Sequence, residues 1–120
     1  MRCVLECPDA RDDRTNFLLY FQNRQEEDIL LRDELDKIAK KHASRVTIVY
    51  YCSNPQGEDF GMKTMNTHER RGYVNKKDIR QEMGVDKCQL ICICGPSAFN
   101  DAMKQLCLSE GHKDDGIYIW

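Results

Sequence analysis

Seven cysteines, at positions 3, 7, 52, 88, 92, 94 and 107, are the residues whose types first suggest chemistry. Thiolates ligate metals and exchange with disulfides, but no C-x-x-C pair occurs, so the spacing of a zinc knuckle is missing. Cys88, Cys92 and Cys94 fall on one predicted strand, with Cys92 and Cys94 on the same face. The expected state is that of reduced thiols behaving as small hydrophobes. The alternative is a thiol sensor or metal centre built from Cys88, Cys92, Cys94 and Cys107. Cys94 also ends the apolar run of Gln89-Leu90-Ile91-Cys92-Ile93-Cys94 and leads into Gly95-Pro96-Ser97-Ala98-Phe99-Asn100. The run is short enough for a buried strand, Gly95-Pro96 makes a turn, and Ser97 is suited to cap a helix. Phe99, Met103, Leu106 and Cys107 then recur at helical spacing. A strand turning sharply into a helix presents backbone N–H groups and a helix dipole at the strand's C-terminal edge, where open α/β sheets bind nucleotides.

Other elements must hold that turn. Residues 1–7 read as the end of a helix, and Pro8 with the polar run 9–14 as a loop. Residues 16–21, Asn-Phe-Leu-Leu-Tyr-Phe, read as a buried strand. Asn23 is expected to cap a helix over about 26–42, with Glu26 completing a capping box and Leu31, Leu35, Ile38 and Ala39 facing inward. Lys37, Lys40 and Lys41 close that helix in accord with its dipole. Val46–Cys52 is β-branched and apolar, a second strand. Residues 53–72 hold Pro55, Gly57, Gly61 and Gly72 and show no periodicity, so they read as one long loop. Asn75 caps a short helix through Met83, which Gly84 stops, and Gly111 ends the helix after Ser97. Ile117–Trp120 is the last strand. Strands alternating with helices predict an α/β fold, a three-layer, mainly parallel twisted sheet flanked by helices, in one domain over 1–120.

Composition narrows the function classes. Charged residues make up 32% and hydrophobic ones 41%, as in a folded globular chain. A net charge of −2 argues against an electrostatic grip on nucleic acid. No apolar run approaches the roughly 20 residues of a membrane-spanning helix. Residues 1–8 lack the apolar stretch of a signal peptide. A cytoplasmic or organelle-associated location is therefore expected.

The run Leu18-Leu19-Tyr20-Phe21-Gln22-Asn23-Arg24-Gln25-Glu26-Glu27-Asp28-Ile29-Leu30-Leu31-Arg32-Asp33-Glu34-Leu35 resembles the strand-turn-helix signature "N-x-T-E-x-D-I-L-L-R-x-E-L" of the ferredoxin–NADP reductase superfamily, cytochrome b5 reductases most of all. Gly72-Tyr73-Val74 is similar to that family's "G-F/Y-V/I", and Cys94-Gly95-Pro96 matches with Phe99 where the family usually has Met. The closing Trp120 also fits. These motifs span the chain in the family's order and resemble its C-terminal, pyridine-nucleotide-binding half.

The resemblance implies electron transfer from NADH or NADPH through FAD to a one-electron acceptor such as a haem protein. It implies nucleotide binding by Asn23, Arg24, Ser53, Asn54 and Tyr73. Cys94, Gly95, Pro96 and Phe99 would lie on the nicotinamide side, the Cys94 sulfur near the hydride-bearing carbon, and Trp120 would be a further cofactor-binding residue. NADH-preferring relatives usually hold an acidic residue where this chain has Ser53. The missing repulsion points to NADPH, with Arg70 or Arg71 reaching a 2′-phosphate; the plainer reading of both arginines is a solvated loop cluster. No metal site is implied.

Two parts of the family pattern have no counterpart here, the flavin motif "R-x-Y-S/T" and the loop "G-G-T-G-I-T/A-P" with the strand before it. Met1 falls within the helix that would follow that loop. FAD is therefore expected only in a full-length parent, and this chain alone is expected to be inactive. Without its central strand the sheet becomes two half-sheets, which close into a sheet of four or five strands, take a strand from a partner, or belong to a larger reductase. Exposed edges would favour self-association. The competing reading is a non-catalytic, truncated isoform that binds or regulates.

Overall fold

The computed structural model describes residues 14–58 and 65–120, so the helix expected over 1–7 lies outside the described residues. Val46–Cys52 forms β2, with the predicted bounds, because a run of β-branched and aromatic residues suits a strand buried on both faces. Six of its seven residues are buried. It pairs in parallel with β1 (Phe17–Asn23) on one side and β3 (Thr67–Arg71) on the other. Between β1 and β2 lies α1 (Arg32–Lys41). Leu35 and Ile38 pack with Ala39 and Ile29 on Val46, Ile48, Tyr50 and Cys52, joined by Phe17, Leu19 and Phe21 of β1.

Strand β3 corrects the reading of 53–72 as loop throughout. Its sequence, Thr-His-Glu-Arg-Arg, lacks an apolar alternation, yet it pairs from Ile48↔Thr67 to Cys52↔Arg71. Partners on neighbouring elements let these polar side chains occupy a strand. Glu69 pairs with Arg32 of α1, and Arg70 lies over the Tyr51 ring, 5.8 Å from its centroid, while donating to the Tyr51 hydroxyl at 3.0 Å.

The single helix expected over 26–42 is broken. A 3₁₀ turn, Glu26–Asp28, precedes α1, and the chain between them sinks Ile29 into the core. Asn23 is the last residue of β1 rather than a cap. The backbone N–H of Gln25 donates to Asp28 Oδ2 at 3.2 Å, so Gln25 and Asp28 make the turn's box, and Glu26 is left for another task. Leu31, expected to face inward, is 73% exposed and sits in the left-handed region at φ 56°. That conformation costs a branched residue about 1–2 kcal/mol. Leu31→Asn, which tolerates it, is expected to stabilise the chain by about 1 kcal/mol, read as a higher urea midpoint at unchanged slope.

The chain divides into two compact units, the first ending at Tyr73 and the second running Val74–Trp120. In the second, α2 (Lys76–Glu82) is capped as predicted: Asn75 Oδ1 accepts from the N–H of Lys77 at 3.0 Å and of Asp78 at 3.2 Å. β4 (Ile91–Ile93) is shorter than expected and pairs in parallel with β5 (Ile117–Ile119). Cys88 lies outside β4, and Cys94 follows its last residue. α3 runs Ser97–Ser109. Pro96, not Ser97, takes its N-cap position, and its carbonyl accepts from the N–H of Asn100 at 2.9 Å. Gly111 closes α3 as predicted: at φ 95° it lets its own N–H reach Leu108 O (3.0 Å) and that of His112 reach Cys107 O (3.2 Å).

All ladders among the described residues are parallel, in sheets ordered β1-β2-β3 and β4-β5. The parallel α/β class is thus as expected. The five described strands form one three-stranded and one two-stranded sheet. No helix of the described residues is long and apolar enough to cross a membrane.

Candidate functional site

In the first unit, parallel register brings the ends of three strands to one edge, Asn23 opposite Cys52 and Cys52 opposite Arg71. Backbone hydrogen bonds continue past the strand ends. Ser53 N–H donates to Asn23 O at 3.1 Å, Asn54 N–H to Arg24 O at 2.8 Å, and Gly72 N–H to Cys52 O at 2.8 Å. The Gln22 side-chain amide donates to Gly72 O at 3.1 Å and Asn23 O at 3.2 Å, tying the turn after β3 to the end of β1. At φ 95°, Gly72 redirects the chain into Tyr73, whose ring is 69% exposed. Asn23, Arg24, Ser53 and Asn54 are thus brought together, with Tyr73 just beyond the end of β3. Arg24 and Asn54 are exposed and Ser53 is half-buried, so this edge offers hydrogen-bonding groups and an aromatic face to a polar ligand.

Glu26 is the residue of this edge that the sequence reading assigned otherwise. Its carboxylate accepts from Gln56 N–H at 3.0 Å and Gly57 N–H at 2.9 Å, clamping the loop that leaves β2 onto the turn after β1. Backbone hydrogen bonds, its own and that from Gln56 foremost, and the charge of Arg71 hold this carboxyl below its ordinary range. Arg71 donates through Nη2 to Gly57 O at 3.0 Å and Glu58 O at 3.4 Å. Arg70 is engaged by Tyr51, whereas Arg71 is exposed and bonds the loop's carbonyls. The capping-box spacing hid this role, because Glu26 spans to a loop 30 residues on.

The second unit holds the other group. Cys94 is exposed directly after β4, Gly95 and Pro96 make the turn, and half-buried Phe99 lies on the first turn of α3. A Cβ built on Gly95 would stand 2.6 Å from Phe99 Cδ1, so only glycine lets the backbone pass the ring so closely. Trp120 N–H donates to Ile93 O at 3.0 Å, and its side chain is 79% exposed. Asn100, buried to 6% exposure, ties these pieces together. Its amide donates to Gly95 O at 2.9 Å and to Trp120 O at 3.5 Å. The helical spacing of α3's apolar residues skips Asn100. A buried amide one turn after Gly-Pro was the available signal.

The five described thiols are all free, with Cys52 and Cys107 buried and Cys92 and Cys94 exposed. Burial pushes Cys52, Cys88 and Cys107 up, keeping them protonated at neutral pH. Among the described residues no group of three or more Cys, His, Asp or Glu is placed to hold a metal ion. A concavity of about 520 Å³ runs along α1 to the start of β3, between Arg32, Lys40, Met65 and Glu69. Its charged groups are largely spent on each other, Arg32 pairing with Glu69 and with Asp36 at 3.7 Å.

Residues 1–105 match the family model described as oxidoreductase NAD-binding domain. The chain is 33% identical over 100 residues to NADH-cytochrome b5 reductase 2-B of the yeast Vanderwaltozyma polyspora, covering 82% of this chain and 30% of that protein. It is 35% identical over 122 residues to Nitrate reductase [NADH] of Lotus tetragonolobus, covering all of this chain and 70% of that one. Among solved structures, the cytochrome b5 reductase domain of Ulva prolifera nitrate reductase superposes with a TM-score of 0.79 at 25% identity, over 99% of this chain and 41% of that one.

Proposed function

Because the chain belongs to the oxidoreductase NAD-binding domain family, we propose that it is the pyridine-nucleotide-binding portion of an FAD-dependent NAD(P)H oxidoreductase that delivers electrons to a one-electron acceptor such as a haem protein. The observation that carries this reading is the knitted C-terminal edge of β1, β2 and β3, the edge at which open parallel sheets receive nucleotides. Asn23, Arg24, Ser53, Asn54 and Tyr73 hold the adenosine and ribose there. Cys94, Gly95, Pro96, Phe99 and Trp120 serve the nicotinamide side, with Gly95 admitting close backbone approach and Cys94 presenting a polarisable sulfur. The first unit's residues fit such a ligand, with exposed amide and guanidinium groups and the exposed Tyr73. The bound nucleotide supplies the hydride. FAD belongs to the longer reductases, of which this chain spans only a part, 30% in the yeast relative. The names of the relatives, with cytochrome b5 and NADH in them, support the same acceptor and donor classes.

Isothermal titration of the 120-residue chain with NAD⁺ and NADP⁺ tests the reading. Micromolar binding of at least one of them is expected. Absence of any heat of binding, with the fold intact by circular dichroism, overturns it.

A further inference from the structure

We propose that Glu26, rather than Ser53, sets which pyridine nucleotide the first unit accepts, by turning away one that carries a 2′-phosphate. The inference rests on the reading that a pyridine nucleotide binds this edge. In dinucleotide-binding α/β sheets a carboxylate near a strand's C-terminal end takes the 2′-hydroxyl of the adenine-side ribose and repels a phosphate. Here β2 ends at Cys52 and continues into the uncharged Ser53 and Asn54, where the NADH-preferring reductases that the chain resembles hold an acidic residue. Ser53 by itself suggests tolerance of the phosphate. The tertiary structure supplies the missing charge from elsewhere in the chain.

The Glu26 carboxylate is fixed against Gln56 and Gly57, two and three residues beyond Asn54, with one oxygen on each N–H. Two backbone donors keep it ionised at neutral pH and prevent it from swinging away. It also answers the cation best placed to attract a phosphate. Arg71, at the end of β3, points its guanidinium at the carbonyls of the same loop and shares its field with Glu26. Arg70 is held on the Tyr51 ring. Arg24 is exposed just after the end of β1. A 2′-phosphate entering beside Ser53 would meet a fixed carboxylate and an arginine held on the loop's carbonyls. Unit charges several ångströms apart at a protein surface differ in energy by enough to change affinity about tenfold.

The test compares 5′-AMP with 2′-phospho-AMP by titration into the whole chain. The wild type is expected to bind 5′-AMP more tightly. In Glu26→Gln, which keeps one acceptor for the loop, the affinity ratio is expected to move about tenfold towards 2′-phospho-AMP. Arg71→Gln added to that variant is expected to reverse the gain, since the uncompensated guanidinium would be its source. Glu27→Gln, a neighbouring exposed carboxylate, is expected to leave the ratio in place. A ratio unchanged in Glu26→Gln, or an equal weakening of both ligands, would mean that Glu26 only clamps the loop and overturns the proposal. A wild type that binds 2′-phospho-AMP preferentially overturns it while leaving the nucleotide-binding reading standing. Failure of the wild type to bind either ligand overturns both.

Discussion

Replacing Gly95 with valine is expected to destabilise the second unit by about 1–3 kcal/mol, while leaving the affinity of the chain for 5′-AMP unchanged. The steric argument starts from a Cβ that would stand 2.6 Å from Phe99 Cδ1, 3.3 Å from Cε1 and 3.4 Å from Cγ. Valine adds two further methyl groups beyond that Cβ. The ring cannot move alone, because it stands on the first turn of α3, and the turn cannot retreat without releasing the 2.9 Å hydrogen bond from Asn100 to Gly95 O. Asn100 is buried, so a lost partner there leaves a polar group without compensation. Urea unfolding followed by Trp120 fluorescence reads the loss directly. Phe99→Ala in the same chain should recover part of it, since the overlap disappears with the ring, and the double-mutant cycle measures how much. A Gly95→Val chain as stable as the wild type would show that this turn has room to spare.

The second large effect is expected at Arg32, within the strand-turn-helix signature but on α1. Its guanidinium pairs with Glu69 of β3, reaches Asp36 at 3.7 Å and lies 4.9 Å from the centre of the Tyr50 ring. The Tyr50 hydroxyl in turn donates to Asp36 at 2.8 Å. Burial and then that bond to Asp36 push the phenol well above its ordinary range, so at neutral pH it is a donor. Glu69 has a side chain only 9% exposed, and ionised it relies on Arg32 for compensation. Breaking a fully buried pair costs roughly 3–5 kcal/mol. Arg32 is itself 32% exposed, and water screens part of the interaction, which lowers the expectation for Arg32→Met to about 2 kcal/mol. The loss should appear as a lower urea midpoint and be relieved in Arg32→Met with Glu69→Gln, where no carboxylate charge remains to be stranded. Equal destabilisation in the single and double variants would place the cost in lost stacking on Tyr50 instead.

Elements that the chain could specify with neighbouring residues alone were legible beforehand. Val46–Cys52 needs only its unbroken β-branched and aromatic run to become a buried strand, and its bounds agree to the residue. Asn75 caps α2 through N–H groups two and three residues away, and Gly111 closes α3 through its own positive φ. The same is true of the family: the Gln22–Leu35 signature and Cys94-Gly95-Pro96 are local strings, and the match over residues 1–105 agrees with them. Local rules also misled. The spacing of Asn23 and Glu26 imitates a capping box, and the apolar string Ile29-Leu30-Leu31 imitates a helix face, but the core needed Ile29 alone.

Long-range partners decided the rest. Thr67–Arg71 carries no strand signal of its own, because the groups that make its charges tolerable, Arg32 and Tyr51, lie 37 and 19 residues away from the residues they meet. The charge at the nucleotide edge was likewise invisible in Ser53, since Glu26 reaches that loop only once β1 and β2 are in register. Sequence thus determined which backbone segments become strand, turn and cap, along with the family, because those depend on propensity and short-range hydrogen bonds. The tertiary structure alone decided which polar side chains share a site, because a charge at a strand's end takes its meaning from whatever the fold sets beside it.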